Sequence, residues 1–511
     1  MMSKKRLILF GFILVKFLLQ YILISPEYDL QRDEYLHLDL GNHLDWGYLS
    51  VPPFIAWVSK IIYLLGNSVF WVKFFPALFG ALTIVVVWKS IEQLKGNLFA
   101  LILGATCVLL SVLLRLNTLY QPNSFDVLSW TLFYYILIRY INSENSKWIY
   151  MAALVFALGF LNKYNIVFLV IGLIPAILLT EQRSIFRLKQ LYIAAILGLL
   201  LIAPNLLWQY QNDFPVIHHM NELANRQLVH VNKLDFLKSQ VFFFIGSLFV
   251  IISALYALVF YKPFKKFRLF FWAFFFTLAV FMILRAKDYY AIGLYPIYIS
   301  FGSVFLGQLL KDGRKSLLQP VAIAVPVLLF IPIFNIAFPN KSPEYIIANS
   351  EKYRELGLLR WEDGKDHLIP QDYADMLGWK ELAQKVDSVY SLIPGSEQTL
   401  VLCDNYGQAG AINYYSKKGI KAVSFNADYI NWFELDQPYK NLIRIKSYDE
   451  KDKELKDTSQ YFESGIIADS ITNRYAREYG ATILVFTTAK IDVNERLENE
   501  IEEVRSIATS D

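Results

Sequence analysis

Cysteine is almost missing from this chain. Cys107 sits in an apolar run and Cys403 in a more polar region, and two such residues make neither a disulfide framework nor a zinc-ligand spacing. Histidine is nearly as scarce, with His37 and His43 six apart and His218 beside His219, which is no clean metal-ligand pattern. No G-x-G-x-x-G follows a strand-like run and no phosphate loop occurs, so nucleotide binding has little support. No internal repeat is found. Charge is thin as well. Asp, Glu, Lys and Arg make up 18% of the 511 residues, aromatic residues 16%, and mean hydropathy is +0.36. That balance excludes an ordinary water-soluble enzyme and points to several membrane crossings.

Apolar runs of about spanning length fall near 69 to 90, 98 to 114, 123 to 141, 148 to 161, 164 to 180, 190 to 207, 240 to 261, 269 to 284, 289 to 309 and 317 to 337. The N-terminal stretch adds one more. Lys4, Lys5 and Arg6 precede its apolar run as in a signal peptide, but the run is long and no small-x-small cleavage site follows, so it reads as an uncleaved first helix. The expectation is a multi-spanning α-helical membrane protein with about eleven transmembrane helices. Residues 54 to 65 are too short to span, carry Lys60, and fit an interfacial helix.

With the N-terminus cytoplasmic, every basic cluster falls in an inner loop: Lys89 and Lys95; Arg139 and Lys147; Arg183, Arg187 and Lys189; Lys262, Lys265, Lys266 and Arg268; Lys311, Arg314 and Lys315. An odd number of spans then puts the C-terminal region outside, with the stretch RDEYLHLDLGNHLDWGYLSVPPF (32 to 54). The outer loops are mixed in charge. They hold Asp33, Glu34, His37, Asp39, His43 and Asp45; Arg115, Tyr120 and Asn123; Asn162, Lys163 and Tyr164; His218, His219, Glu222 and Arg226; and Arg285, Lys287, Asp288, Tyr289 and Tyr290. Ionisable groups at membrane boundaries are costly unless paired or hydrated, so their convergence on one face suggests a polar cavity; helix-end anchoring is the competing reading. Carboxylates there suit a general base or a divalent metal, and Lys and Arg suit a departing phosphate. Trp46, Tyr48, Trp57, Tyr120, Tyr289 and Tyr290 could stack on a sugar or isoprenoid, or simply anchor at the interface.

From about 340 to 511 the pattern is α/β. Residues 399 to 404, 421 to 425 and 481 to 488 read as buried strands, and segments near 375 to 391, 406 to 416, 465 to 478 and 491 to 503 as helices. The predicted division is a membrane domain, 1 to 338, containing the first outer loop (26 to 68), and a soluble α/β domain, 339 to 511.

Asp33-Glu34 after the first helix, followed by LDWGYLSVPPFIAW (44 to 57), resembles the first outer loop of the polyprenyl-phosphate-dependent integral-membrane glycosyltransferases. These include the protein mannosyltransferases and the transferase that adds aminoarabinose to lipid A. The resemblance continues in order through YQPNSFDVLSW (120 to 130), GFLNKYN (159 to 165), RAKDYYAIGLYP (285 to 296), DYADMLGWKEL (372 to 382) and DNYGQAGAINYY (404 to 415). It implies a GT-C type fold in a bacterial cytoplasmic membrane, with the active site and C-terminal domain on the extracytoplasmic face. It also implies a polyprenyl-phosphate sugar donor, usually undecaprenyl phosphate in bacteria, an inverting transfer, and a lipid, glycan or protein acceptor. Nucleic acid is not an expected partner.

By position, Asp33 matches the acidic residue proposed as base or acceptor-orienting group, with Glu34 its neighbour. Lys163, Arg285 and Lys287 fit the donor phosphate, and Tyr48, Tyr120, Asn123, Asp126, Tyr289 and Tyr290 the substrate cavity. Some relatives carry an acidic residue where Asn123 stands; Asp126, three residues on, either shares its helix face or makes a polar contact within the bundle. No cofactor is assigned, and a divalent metal stays open. A transporter or flippase of lipid-linked sugars with a soluble sensor domain is the alternative, although transport pathways place charges near the midplane and these apolar segments hold few.

Overall fold

The computed structural model describes residues 3 to 226 and 232 to 510. The chain makes two compact units. One comprises Met1–Leu23, Val51–Ile55 and Phe70–Phe338; the other comprises Ile24–Ser50, Ala56–Val69 and Pro339–Asp511. Most of the first outer loop therefore folds with the C-terminal residues, whereas the sequence division grouped it with the membrane segments.

The first unit is helical, and each apolar run lies in helix along most of its length. Among the described residues, five helices are long and apolar enough to cross a membrane: Val69–Gln93, Lys189–Gln211, Lys262–Ile283, Asp288–Leu309 and Gly313–Ala337. Two more follow if each bent pair, Ile166–Leu178 with Glu181–Arg187 and Lys233–Phe243 with Ile245–Phe260, is one span. The other expected spans differ for visible reasons. Lys4–Ile22 carries Lys4, Lys5, Arg6 and Lys16, Asn123–Ser143 opens on Asn, Ser and Asp, and Leu98–Leu109 and Lys147–Asn162 are short. The chain breaks at Lys163, which is extended, so the runs on either side of Asn162-Lys163-Tyr164 are separate helices. The loop expected over 208 to 239 is helical over Pro215–Arg226 and from Lys233 onward. Residues 227 to 231 and the side chains of His219, Glu222 and Arg226 lie outside the described residues.

Large side chains fill the core of this unit, with Trp88, Trp130, Tyr134, Phe270, Phe281 and Tyr298 all buried. Small residues permit close backbone approach where helices cross. A Cβ on Gly302 would strike the Val250 carbonyl, so only glycine lets helices Leu248–Phe260 and Tyr295–Leu309 pack this tightly.

The second unit is built on a five-stranded mixed sheet of β1 (Thr399–Cys403), β2 (Ala422–Ser424), β3 (Asn441–Lys446), β4 (Phe462–Ser470) and β5 (Thr482–Ala489), in the order β2-β1-β3-β5-β4. β1 pairs in parallel with β2 and β3, while β5 runs antiparallel to both β3 and β4. The three strands read from sequence are β1, β2 and β5, each a compact apolar run. Of the segment expected to be helical from 465 to 478, residues 465 to 470 belong to β4 and the rest is turn and irregular chain. Its GII-A-SI spacing mimics a helical stripe, yet the strand completes the open hydrogen-bonding edge of β5 and leaves Ile466 and Ile467 exposed. β3 was missed because it carries the charged Arg444 and Lys446 among apolar residues; both are partly buried and turn their charges to Asp404, at 2.8 and 3.0 Å. The expected helices near 375 to 391, 406 to 416 and 491 to 503 form as Trp379–Tyr390, Tyr406–Tyr415 and Val493–Ser510.

Candidate functional site

In the second unit, the helix Arg32–Leu40 carries Asp33 on its first turn. Gln31 is the N-cap: its side-chain oxygen accepts from the Asp33 backbone N–H at 2.8 Å, while the Glu34 carboxylate accepts from the Gln31 N–H at 2.7 Å. This capping box fixes the helix start and directs Glu34 inward, where it is fully buried. Asp33 stays about one-third exposed, at 35%.

Two motifs of the second unit, 372 to 382 and 404 to 415, clamp this helix. Tyr406 donates its hydroxyl to Asp33 Oδ1 at 2.7 Å, and the Arg32 guanidinium lies 4.9 Å over the Tyr406 ring and 3.7 Å from Asp33. Burial, and then the neighbouring Asp33 charge, hold the Tyr406 phenol well above its ordinary pKa, so it remains a donor. Arg32 N–H donates to the Asp375 carbonyl, whose side chain takes Arg477 at 3.2 Å. Asn405 caps helix Tyr406–Tyr415, and Asn413 and Tyr429 donate to Asp39 Oδ2 at 2.8 and 2.7 Å. Gly410 makes room for the pair of helices, since a Cβ there would lie 2.6 Å from the Tyr429 hydroxyl and 2.7 Å from Tyr35 Cβ. Burial pushes the His37 imidazole down to about 4 against the opposing charges of Asp33 and Glu34, so His37 is neutral at pH 7.

In the first unit, three motifs distant in sequence meet around Lys163. Its Nζ donates to Asn123 Oδ1 at 2.7 Å and lies 4.3 Å over the Tyr290 ring and 5.1 Å over that of Tyr289. The Asp126 carboxylate and, more weakly, Lys287 are close enough for their charges to act on Lys163. Asp126 is buried, accepting from Trp130 Nε1 at 3.1 Å and from Asn165 Nδ2 at 2.9 Å; the same Asn165 amide also donates to the Tyr290 carbonyl at 2.9 Å. Asn162 donates to the Pro122 carbonyl, and Phe54 of the VPPF stretch stacks on Phe125 with ring centres 4.0 Å apart. A cation framed by two phenol rings, an amide and a second lysine is a ready receptor for an oxyanion.

Lys163, Asn123, Asp126, Tyr289, Tyr290 and Lys287 are thus brought together, and Asp33 stands with Tyr406 and Arg32 in the second unit. Others are occupied in bracing. Tyr48 is buried with its hydroxyl donated to the His43 carbonyl at 2.9 Å, and buried Tyr120 donates to the Ile55 carbonyl at 2.9 Å. Arg285 is exposed in left-handed backbone, φ 50°. Among the described residues no three His, Cys, Asp or Glu side chains are grouped to hold a metal ion. Two residues inside the motifs, Tyr406 and Asn165, escaped the sequence reading as site members. Both hydrogen-bond a carboxylate from another segment, which nothing in their local pattern announces.

The family model for dolichyl-phosphate-mannose-protein mannosyltransferases matches residues 50 to 208. The chain is 25% identical over 376 residues to the lipid A galacturonosyltransferase RgtD of Rhizobium johnstonii, covering 68% of this chain and 76% of that protein. Its fold is similar to ArnT from Cupriavidus metallidurans in the apo state, with a TM-score of 0.64 and 14% identity over 94% of this chain and 98% of ArnT. It is also similar to ArnT bound to undecaprenyl phosphate, with a TM-score of 0.60 and 14% identity over 96% and 99% of the two chains. The chain thus has the GT-C type fold of ArnT, and it is similar over 50 to 208 to the mannosyltransferase family and at 25% identity to a lipid A galacturonosyltransferase.

Proposed function

We propose that this enzyme transfers a sugar from a polyprenyl-phosphate donor to an acceptor on the extracytoplasmic face of the membrane, with inversion, and that a lipid A-type glycolipid is the first acceptor to test. The observation that carries the reading is the convergence of three separated motifs on Lys163, which builds an oxyanion receptor in the helical unit. The similarity to a lipid A galacturonosyltransferase and to a fold that binds undecaprenyl phosphate supports the choice of donor and acceptor. The N-terminus is then cytoplasmic and the second unit extracytoplasmic, in keeping with the one-sided distribution of basic loops.

In this mechanism the acceptor hydroxyl attacks the anomeric carbon, and a new C–O bond forms as the bond from that carbon to the phosphate oxygen breaks. Asp33 takes the hydroxyl proton, and Tyr406 and Arg32 hold the carboxylate in place while it does so. Polyprenyl phosphate leaves with its electron pair, its charge stabilised by Lys163 with Lys287 nearby. Glu34, committed to the capping box, supports the helix that presents Asp33.

The test is transfer of labelled sugar from undecaprenyl-phosphate donors to lipid A by the purified protein in detergent. Transfer that disappears in Asp33→Asn, with expression and membrane insertion near normal, supports the reading. Full activity in Asp33→Asn removes Asp33 from the mechanism. Translocation of the donor without transfer to any acceptor would overturn the transferase reading in favour of a transporter.

A further inference from the structure

Lys16 lies in the middle of the first apolar helix, yet its side chain is buried within the first unit rather than reaching for the membrane surface. Among the described residues, its ammonium has one hydrogen-bond partner, Gln20 Oε1 at 3.0 Å, and no carboxylate. A charged group at this depth is expensive and needs a reason. The surroundings are shaped to admit it. A Cβ on Gly80 would strike both Lys16 Cε and Asn117 Oδ1, so glycine in the long helix Val69–Gln93 is what lets these two side chains lie together. A small cavity of about 10 Å³, lined by Lys16, Gly80, Thr83 and Asn117 among others, lies beside them. That is room for about one water, which would use the spare ammonium donors.

A hydrogen-bond chain leads from this cation toward Lys163. Gln20 donates its side-chain N–H to the Asn117 carbonyl, and Asn117 Nδ2 donates to Ser124 Oγ at 3.0 Å. Ser124 is on the first turn of helix Asn123–Ser143, between Asn123, which accepts from Lys163, and Asp126, which accepts from Asn165. Lys73 donates to the Thr118 carbonyl at 3.0 Å and Arg115 to the Thr118 hydroxyl at 2.6 Å, holding the turn that carries Asn117, just ahead of the helix. No helix cap does this work locally, since Pro122 at the N-cap offers no side-chain hydrogen bond. The start of the helix is therefore held from outside, by Asn162 and Lys163 and, through Asn117 and Ser124, by the first helix.

We propose that Lys16 is a positioning residue for the donor-phosphate site: through Gln20, Asn117 and Ser124 it fixes the helix start that sets Asn123 against Lys163. This rests on the reading of Lys163 as phosphate receptor. It acts at a distance, touching neither donor nor acceptor, and it gives a role to a lysine inside an apolar helix.

The experiment measures the Kd of undecaprenyl phosphate for the purified full chain in detergent, beside the Tm of the lipid-free protein. Lys16→Met keeps the length and apolar stem of the side chain and removes the donor; it should weaken binding about tenfold, the scale of a small misplacement at a binding site. Lys16→Arg should restore binding to within about threefold, with Tm little changed in both. Gln20→Leu cuts the same chain one step later and should match Lys16→Met, which keeps the proposal testable should the lysine variant fold poorly. Unchanged binding in Lys16→Met and Gln20→Leu, or a fall in Tm with normal Kd for the folded fraction, overturns the proposal. Lys163→Met separates it from the underlying reading. If Lys163→Met abolishes binding while Lys16→Met leaves it intact, only Lys16 is wrong; if Lys163→Met binds normally, both fall.

Discussion

Replacing Tyr406 by Phe removes one oxygen and leaves nearly everything else. The ring that carries the Arg32 guanidinium at 4.9 Å remains, as does helix Tyr406–Tyr415 with its Asn405 cap. What is lost is a 2.7 Å hydrogen bond from a buried phenol to Asp33 Oδ1. Hydrogen bonds to charged groups contribute roughly 1.5–3 kcal/mol, and the whole of that is felt at the transition state only if the bond orients the carboxylate as the acceptor proton moves. The expected loss in kcat is then about 10- to 100-fold, with KM for the lipid-linked donor within about twofold, because Tyr406 supports the base and not the phosphate receptor. The assay is initial-rate transfer of labelled sugar at varied donor concentration, with a melting curve on the same preparation. A variant with unaltered kcat would refute the idea that Tyr406 holds a working base. A raised donor KM at constant kcat would place Tyr406 in donor binding and equally refute the argument.

Two further changes probe the second unit. Burial pushes the Asp39 carboxyl up to about 6 despite the bonds from Tyr429 and Asn413, whereas the ordinary value is 3.8. The folded state therefore holds a proton that the unfolded chain has released, and stability contributed at this site falls as pH rises from about 4 to 6. Asp39→Asn can keep both donors on one oxygen while losing the charge, so it should match the parent at pH 4 and exceed it by about 2–3 kcal/mol at pH 8; equal Tm differences at the two pH values would show that the charge is not what matters. Gly410→Ala places a methyl 2.6 Å from the Tyr429 hydroxyl and 2.7 Å from Tyr35 Cβ, and should cost about 1–3 kcal/mol by overpacking, read as a lowered Tm.

The helical class was legible because apolar runs of membrane length have few alternative explanations. The number of spans was less so, since hydropathy alone does not separate a full crossing from short or charged helices such as Leu98–Leu109 and Lys4–Ile22. The β4 edge strand was read as helix because local spacing carries no record of which strand edge is open, and β3 was hidden by one arginine and one lysine whose charges are met by Asp404 and Glu454 from other segments. The lysine at 163 stood out as a charge at a helix break, and its neighbours are the motif residues. Tyr406 and Asn165 needed the fold, because each meets a carboxylate supplied by another segment. Glu34 shows the reverse: an acid beside a candidate base in sequence is, in space, the second half of a capping box.

The second unit is assembled from stretches on either side of most of the membrane segments, and this has a consequence during synthesis. Helix Arg32–Leu40 emerges early, but Trp379, Tyr406, Asn413 and Tyr429, against which it packs, emerge more than three hundred residues later. At about 5–20 residues per second the wait is roughly 20–70 s. During that interval Asp33 has no partner from residues 379 to 429, so a chain halted before them carries the Asp33 sequence without the clamp that orders it. The clamp around Asp33 is thus complete only when residues 379 to 429 have folded back onto residues 32 to 40.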